Sequence, residues 1–155
     1  MTQGSAVIGE GTVLASERAK RILAQWNDLR ADRIAPRRSE VDPLDLFDFL
    51  PTLAMIKISE GGDGFQFSLI GTGLAKIYGL VTRQFVSRAA FPQPTKEALQ
   101  QALQLCVTER SPVHGVWPQV KAMNDVKVDI EVVFLPISED GIEVSRILGY
   151  HAITL

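Results

Sequence analysis

The sequence predicts an α+β domain: an antiparallel sheet of five strands with helices on one face, plus an N-terminal helix. Three observations carry this. Residues 126–134 alternate without a break, Val126, Val128, Ile130, Val132 and Phe134 against Lys127, Asp129 and Glu131, the period of a half-buried strand. Strand-like runs are joined by short turns, Glu60-Gly61-Gly62-Asp63-Gly64 and Glu139-Asp140-Gly141, which suit hairpins rather than crossovers. Two longer segments instead repeat apolar residues at helical spacing.

In chain order, residues 1–13 are rich in Gly, Ser and Thr and carry no period, so they read as a loose tail ahead of one domain over 14–155. A helix is predicted from Ser16 to Ala31. Ser16 is its N-cap, Glu17 suits its first turn, and Ala19, Ile22, Leu23, Trp26 and Leu29 form its apolar stripe. A short helix is predicted over Pro43–Leu50, capped by Asp42 and stopped by Pro51. Strands follow at Leu53–Ile58 and Phe65–Ile70, the second with Phe65, Phe67 and Leu69 on one face. Thr72 is placed to cap a short helix over Gly73–Tyr78, closed by Gly79. Residues 80–94 look irregular. A stronger helix runs from Thr95 to Arg110 with Ala98, Leu99, Ala102, Leu103, Leu105 and Cys106 on its apolar side. The last strands are Val113–Val120, broken late by Pro118, then Val126–Phe134 and Arg146–Leu155.

Composition narrows the function classes. With 155 residues, 46% apolar and 22% charged, the chain can bury a core without a disulfide or metal staple. A net charge of −2 does not favour nucleic acid or an anionic membrane. One cysteine, Cys106, excludes an intrachain disulfide and fits a reducing compartment. Met1–Leu14 lacks the basic start and apolar run of a signal peptide, and Val132–Leu135 is far too short to span a bilayer. A cytoplasmic protein is expected.

Several local sequences add a resemblance. Trp26-Asn27-Asp28-Leu29-Arg30, Pro36-Arg37-Arg38, Asp42-Pro43, Leu50-Pro51 and Leu69-Ile70-Gly71-Thr72-Gly73-Leu74 with Tyr78-Gly79 resemble a bacterial family of stand-alone PAS-like proteins, formerly classed as a domain of unknown function. The resemblance covers roughly residues 20–155. It departs after Tyr78-Gly79: family members continue with an acid and Thr-Gly, whereas this chain reads Leu80-Val81-Thr82-Arg83. It implies a five-stranded sheet whose concave face packs on helices, a gap that in PAS domains often holds a small ligand, haem or flavin, and a signal that leaves through dimer contacts, often of the N-terminal helix. Fold alone does not assign function.

Particular residues argue against most chemistries. Cys106 lies in Leu103-Gln104-Leu105-Cys106-Val107, a core helix context rather than a flavin-reactive motif. His114 and His151 fall in predicted strands with no spacing that suggests haem. No Gly-x-Ser-x-Gly elbow occurs. Asp42, Asp45 and Asp48 read as cap and solvated face, not metal ligands. Gly61-Gly62-Asp63-Gly64-Phe65 resembles a diguanylate cyclase loop but sits in a hairpin turn. Arg30, Arg33, Arg37 and Arg38 are interleaved with Asp28, Asp32 and Glu40, which favours ion pairs over phosphate binding.

The reading is a non-enzymatic sensory or regulatory module without cofactor, nucleic acid or membrane. It signals through protein–protein contacts and binds a small apolar or amphipathic ligand. The expected pocket is lined by Phe67, Leu69, Tyr78, Leu103, Val107, Trp117, Ile130 and Val132, with Tyr78 and Trp117 as polar handles. Ile22, Leu23, Trp26 and Leu29 either cover the domain itself or form a homodimer interface. The rivals are a ligand-free interaction module with a filled core and, behind it, an enzyme on the same scaffold.

Overall fold

The computed structural model describes residues 4–59 and 64–154. In chain order the elements are β1 (Gly4–Val7), α1 (Glu17–Arg30), β2 (Leu53–Ile58), β3 (Phe65–Ile70), α2 (Ala75–Tyr78), α3 (Gln93–Glu109), β4 (Val113–Lys121), β5 (Lys127–Ile137) and β6 (Arg146–Thr154). They form one antiparallel sheet in the order β1-β4-β5-β6-β2-β3. The tip of the β2–β3 turn, residues 60–63, and Leu155 lie outside the described residues. Below that tip, Ser59 N donates to Gly64 O at 2.9 Å, as a hairpin requires.

Two features of the architecture differ from the sequence expectation. The sheet has six strands, not five. Gly4–Val7, read as part of a loose tail, pairs with Val113–Val116 along the edge of β4. Edge pairing uses main-chain donors and acceptors, which a hydropathy pattern does not register. Gly115 admits the extra strand, since a Cβ there would collide with Ser5 Oγ and lie 3.0 Å from Gly4 O.

Helices also cover both faces rather than one. On the inner face, α2, α3 and the turn Val86–Arg88 pack over Ile56, Phe67, Ile130, Val132 and Phe134. On the outer face, α1 and the segment after it pack over Leu53, Met55, Val133, Leu135 and Leu148. β5 serves both cores, and its residues 132–137 are buried without interruption. Such a run is the signature of a strand covered on two sides.

Local chemistry explains most boundaries. Ser16 caps α1 as expected, its Oγ accepting from Ala19 N at 3.1 Å. Gly79 closes α2 with φ of +82°. Gln119, after Pro118, has φ of +56° at the register shift between Trp117 and Val120. The expected helix over Pro43–Leu50 is instead a turn followed by a 3-10 segment, Phe47–Thr52, with Pro51 inside it. Asp42 does act locally, accepting from Leu44 N at 2.9 Å, but this bond makes a tight turn that competes with helix. Thr72 caps nothing; α2 starts at Ala75 after Leu74 without a side-chain cap. Val126 is 46% exposed, because it lies in the turn before β5 and not on the strand's buried face.

Candidate functional site

Six of the eight predicted pocket residues meet between the sheet and its inner helices. Phe67, Tyr78, Leu103, Trp117, Ile130 and Val132 all belong to the inner core and are at most 1% exposed. They do not line an open hollow. Tyr78 packs on Phe91 at 4.9 Å between ring centroids and on Phe67 at 5.5 Å, and Trp117 lies 6.0 Å from Phe134. Gly149 makes room for Phe134, whose ring would stand 2.8 Å from a Cβ on that glycine.

The other two fall elsewhere. Leu69 is 46% exposed. The pairing steps from Met55↔Leu69 to Ile56↔Phe67, so Ser68 is an extra residue in β3. One inserted residue turns the rest of a strand over, and Leu69 leaves the face that Phe67 occupies. Val107 is half-buried at the rim, where it lines an open cleft of about 690 Å³ with Ile58, Arg110, Glu143 and Ser145.

At the centre of the packed interior lies a polar pair. The Tyr78 hydroxyl and His151 Nε2 are 2.7 Å apart, both fully buried. The rings of Trp117, Tyr78 and Phe134 surround the imidazole edge-to-face. Nδ1 of His151 has no hydrogen-bond partner. Burial holds the imidazole neutral down to about pH 4, although the nearby carbonyls of Gly149 and Thr52 favour its charged form. Burial likewise drives the Tyr78 hydroxyl far above its ordinary range. The phenol therefore keeps its proton. The arrangement that satisfies it has Tyr78 donating to Nε2, which leaves the proton of His151 on Nδ1, where the carbonyls of Gly149 and Thr52 lie near but neither closes a well-formed hydrogen bond.

The sequence places His151 in a strand but does not reveal its partner, Tyr78. A signal was available: His151 shares parity along β6 with buried Ile147 and Gly149. Phe91, in the stretch read as irregular, carried no periodic signal.

The N-terminal stripe is used within the chain. Ile22 and Trp26 are 1% and 4% exposed in the outer core, and Leu23 and Leu29 pack beside them. Trp26 Nε1 donates to Pro136 O at 2.7 Å. Of the two roles expected for the stripe, the structure has it covering the domain's own sheet. Glu131 fastens the same helix: its carboxylate accepts from Ala15 N and Ser16 N at 2.8 Å each and pairs with His114 Nε2 at 2.8 Å.

Other candidates resolve into structure. Arg33 forks onto Glu40 at 2.7 and 2.9 Å, and this pair, with the Arg37 backbone, brings the Glu40 carboxyl to about 2. Arg30 holds Asn27 and nearby carbonyls, and Arg38 reaches Val41 O. Cys106 is buried against Phe134 O, and burial pushes its thiol up, out of the reactive range. Among the described residues no three His, Cys, Asp or Glu side chains converge to hold a metal, and no helix is long and apolar enough to cross a membrane.

Comparison with known proteins agrees with this architecture. A family model of the PAS domain matches residues 14–152. Among solved structures the chain is similar to an RNA-binding light-oxygen-voltage receptor, with a TM-score of 0.51 and 8% identity over 97% of this chain and 38% of that one. At that identity the likeness is one of fold, and the chain spans well under half the receptor's length. No curated protein matches.

Proposed function

The chain belongs to the PAS domain family, and from that premise we propose that it is a sensory and regulatory module that responds to a small ligand at the Tyr78–His151 pair. The carrying observation is the unpartnered Nδ1 of a fully buried histidine in an apolar, aromatic interior. A buried donor without an acceptor costs about 1–3 kcal/mol. A largely apolar molecule with one carbonyl or ether oxygen would accept from Nδ1 and offset that cost.

Such a ligand needs room, and the interior is packed. It enters by displacing the inner covering, where Tyr78 ends α2 and Phe91 precedes α3. The PAS match takes in both Tyr78 and His151, and displacement between them would be passed on through contacts at the domain's surface. The enzyme reading finds no charged acid or base converging in this interior, where burial keeps both the phenol and the imidazole neutral.

One observation favours the rival filled-core module. Six of the predicted lining residues are sealed against one another at 1% exposure or less. Native mass spectrometry of freshly purified protein separates the readings. The sensor predicts a small molecule retained by the wild type and absent from the Tyr78→Phe/His151→Phe variant. A bare polypeptide mass, together with no thermal stabilisation by small carbonyl compounds, would leave the filled module standing.

A further inference from the structure

We infer that the end of the β4–β5 hairpin, together with the loop after α2, is a docking surface for an acidic segment of another protein that carries apolar side chains. This rests on the reading of the chain as a module that signals through protein contacts, and it adds where the contact is made and what the partner looks like.

The hairpin end and the loop are one surface. Met123 N donates to Lys76 O at 2.7 Å, which leans the turn on α2. The Met123 thioether lies 3.5–4.0 Å from where a Cβ on Gly79 would stand. Leu80, the next residue, is 88% exposed, Met123 48% and Val126 46%. Single exposed apolar side chains are ordinary, but a group of them on one projecting end marks a contact site.

The stretch of chain on one side of this group is one-sided in charge. Residues 64–96 contain Lys76, Arg83, Arg88 and Lys96 and no Asp or Glu, in a chain whose net charge is −2. Lys76 and Arg83 form no ion pair among the described residues. Arg83 follows Leu80 by three residues, so it lies within about 11 Å along the chain. On the other side of the hairpin, the sheet face away from α2, Lys121 and Lys127 face each other directly across the strand pair. Like charges in that position destabilise a sheet. Only Lys121 has a carboxylate near it, Asp125 at 3.3 Å and itself exposed. An apolar centre with cations on both flanks, one pair of them mutually repelling, is complementary to carboxylates around an apolar side chain.

The same features argue against nucleic acid, which would find cations for phosphate but no exposed aromatic ring for a base at this centre. A protein segment suits the adaptable methionine at the middle. The surface also follows Tyr78 directly in sequence, so displacement of Tyr78 from His151 would shift Leu80.

The test is an amide NMR titration of the whole chain with three probes: an amphipathic peptide of Glu and Leu, phosphatidylserine–phosphatidylcholine vesicles, and oligouridylate. The peptide should shift residues 76–83 and 121–127. The Lys121→Glu/Lys127→Glu variant, altered only at exposed positions, should bind it at least about tenfold more weakly. Leu80→Ser should weaken it as well. Vesicles or RNA shifting these amides in place of the peptide would overturn the inference, as would a peptide that leaves them still. The small-molecule content of the protein reports separately. Retained ligand with a silent hairpin refutes only the docking surface, and a responsive hairpin on ligand-free protein refutes only the interior site.

Discussion

Tyr78→Phe removes one oxygen from the inner core and leaves everything else of the side chain in place. The ring keeps its contacts with Phe67 and Phe91 at 5.5 and 4.9 Å between centroids. What is lost is the 2.7 Å bond to His151 Nε2. Nδ1 already lacks a partner, so both ring nitrogens would then be buried and unpaired. Leaving one such group unsatisfied costs about 1–3 kcal/mol. In a domain of this size each kcal/mol moves Tm by about 2–4 °C, so a fall of about 2–12 °C is expected. His151→Phe alone should also destabilise, since it orphans the Tyr78 hydroxyl. Tyr78→Phe/His151→Phe replaces both partners with apolar rings, a change that can be nearly neutral. Urea unfolding of the four proteins, with m-values checked for constancy, closes the cycle. The expected coupling is about 1–3 kcal/mol. Single variants within half a kcal/mol of wild type, or a double variant equal to the sum of the singles, would refute the pair as a stabilising unit.

Three further outcomes follow from other parts of the structure. His151 is held neutral to about pH 4 in the fold and titrates near 6.5 once unfolded. Its contribution is therefore complete above 6.5 and lost as pH falls toward 4, about 3 kcal/mol in all; the urea midpoint of wild type should drop more than that of the double variant between pH 7 and 4.5, and parallel curves would contradict this. Gly115→Ala places a Cβ against Ser5 Oγ and 3.0 Å from Gly4 O, so hydrogen exchange should show residues 4–7 losing protection while β5 keeps its own. Burial raises the Glu131 carboxyl, but hydrogen bonds from Ala15, His114 and Ser16 outweigh it and hold it low. Glu131→Gln cannot accept from all three, and about 1–3 kcal/mol should be lost, with protection falling first at the start of α1; an unchanged α1 would show that apolar packing alone holds it.

Much of the chain was legible because local rules and tertiary structure agree. Leu53–Ile58 and Phe65–Ile70 are strands at the positions expected from their residues. α1 begins after Ser16, and α3 carries Ala98, Leu99, Ala102, Leu103 and Cys106 inward as its spacing demands. The site was legible in part. Side-chain parity placed Phe67, Ile130 and Val132 inside. It misplaced Leu69, because a β-bulge is a single extra residue that no pattern of hydrophobicity announces. The two-sided burial of β5 had a visible trace, the run Val132–Ile137, whose six residues include no polar side chain; its meaning depends on a helix more than a hundred positions earlier in the chain.

By itself the sequence determined most of the longer helices and strands and which of their faces are apolar, since caps, turn residues and periodicity act over a few neighbouring positions. It also carried the family resemblance. Only the tertiary structure decided that α1 lies on the opposite face from α3, that Gly4–Val7 closes an edge, and that Tyr78 and His151 meet across 73 positions. These depend on contacts between residues far apart in the chain. Such contacts are selected by how all the surfaces pack at once, and no local pattern encodes them.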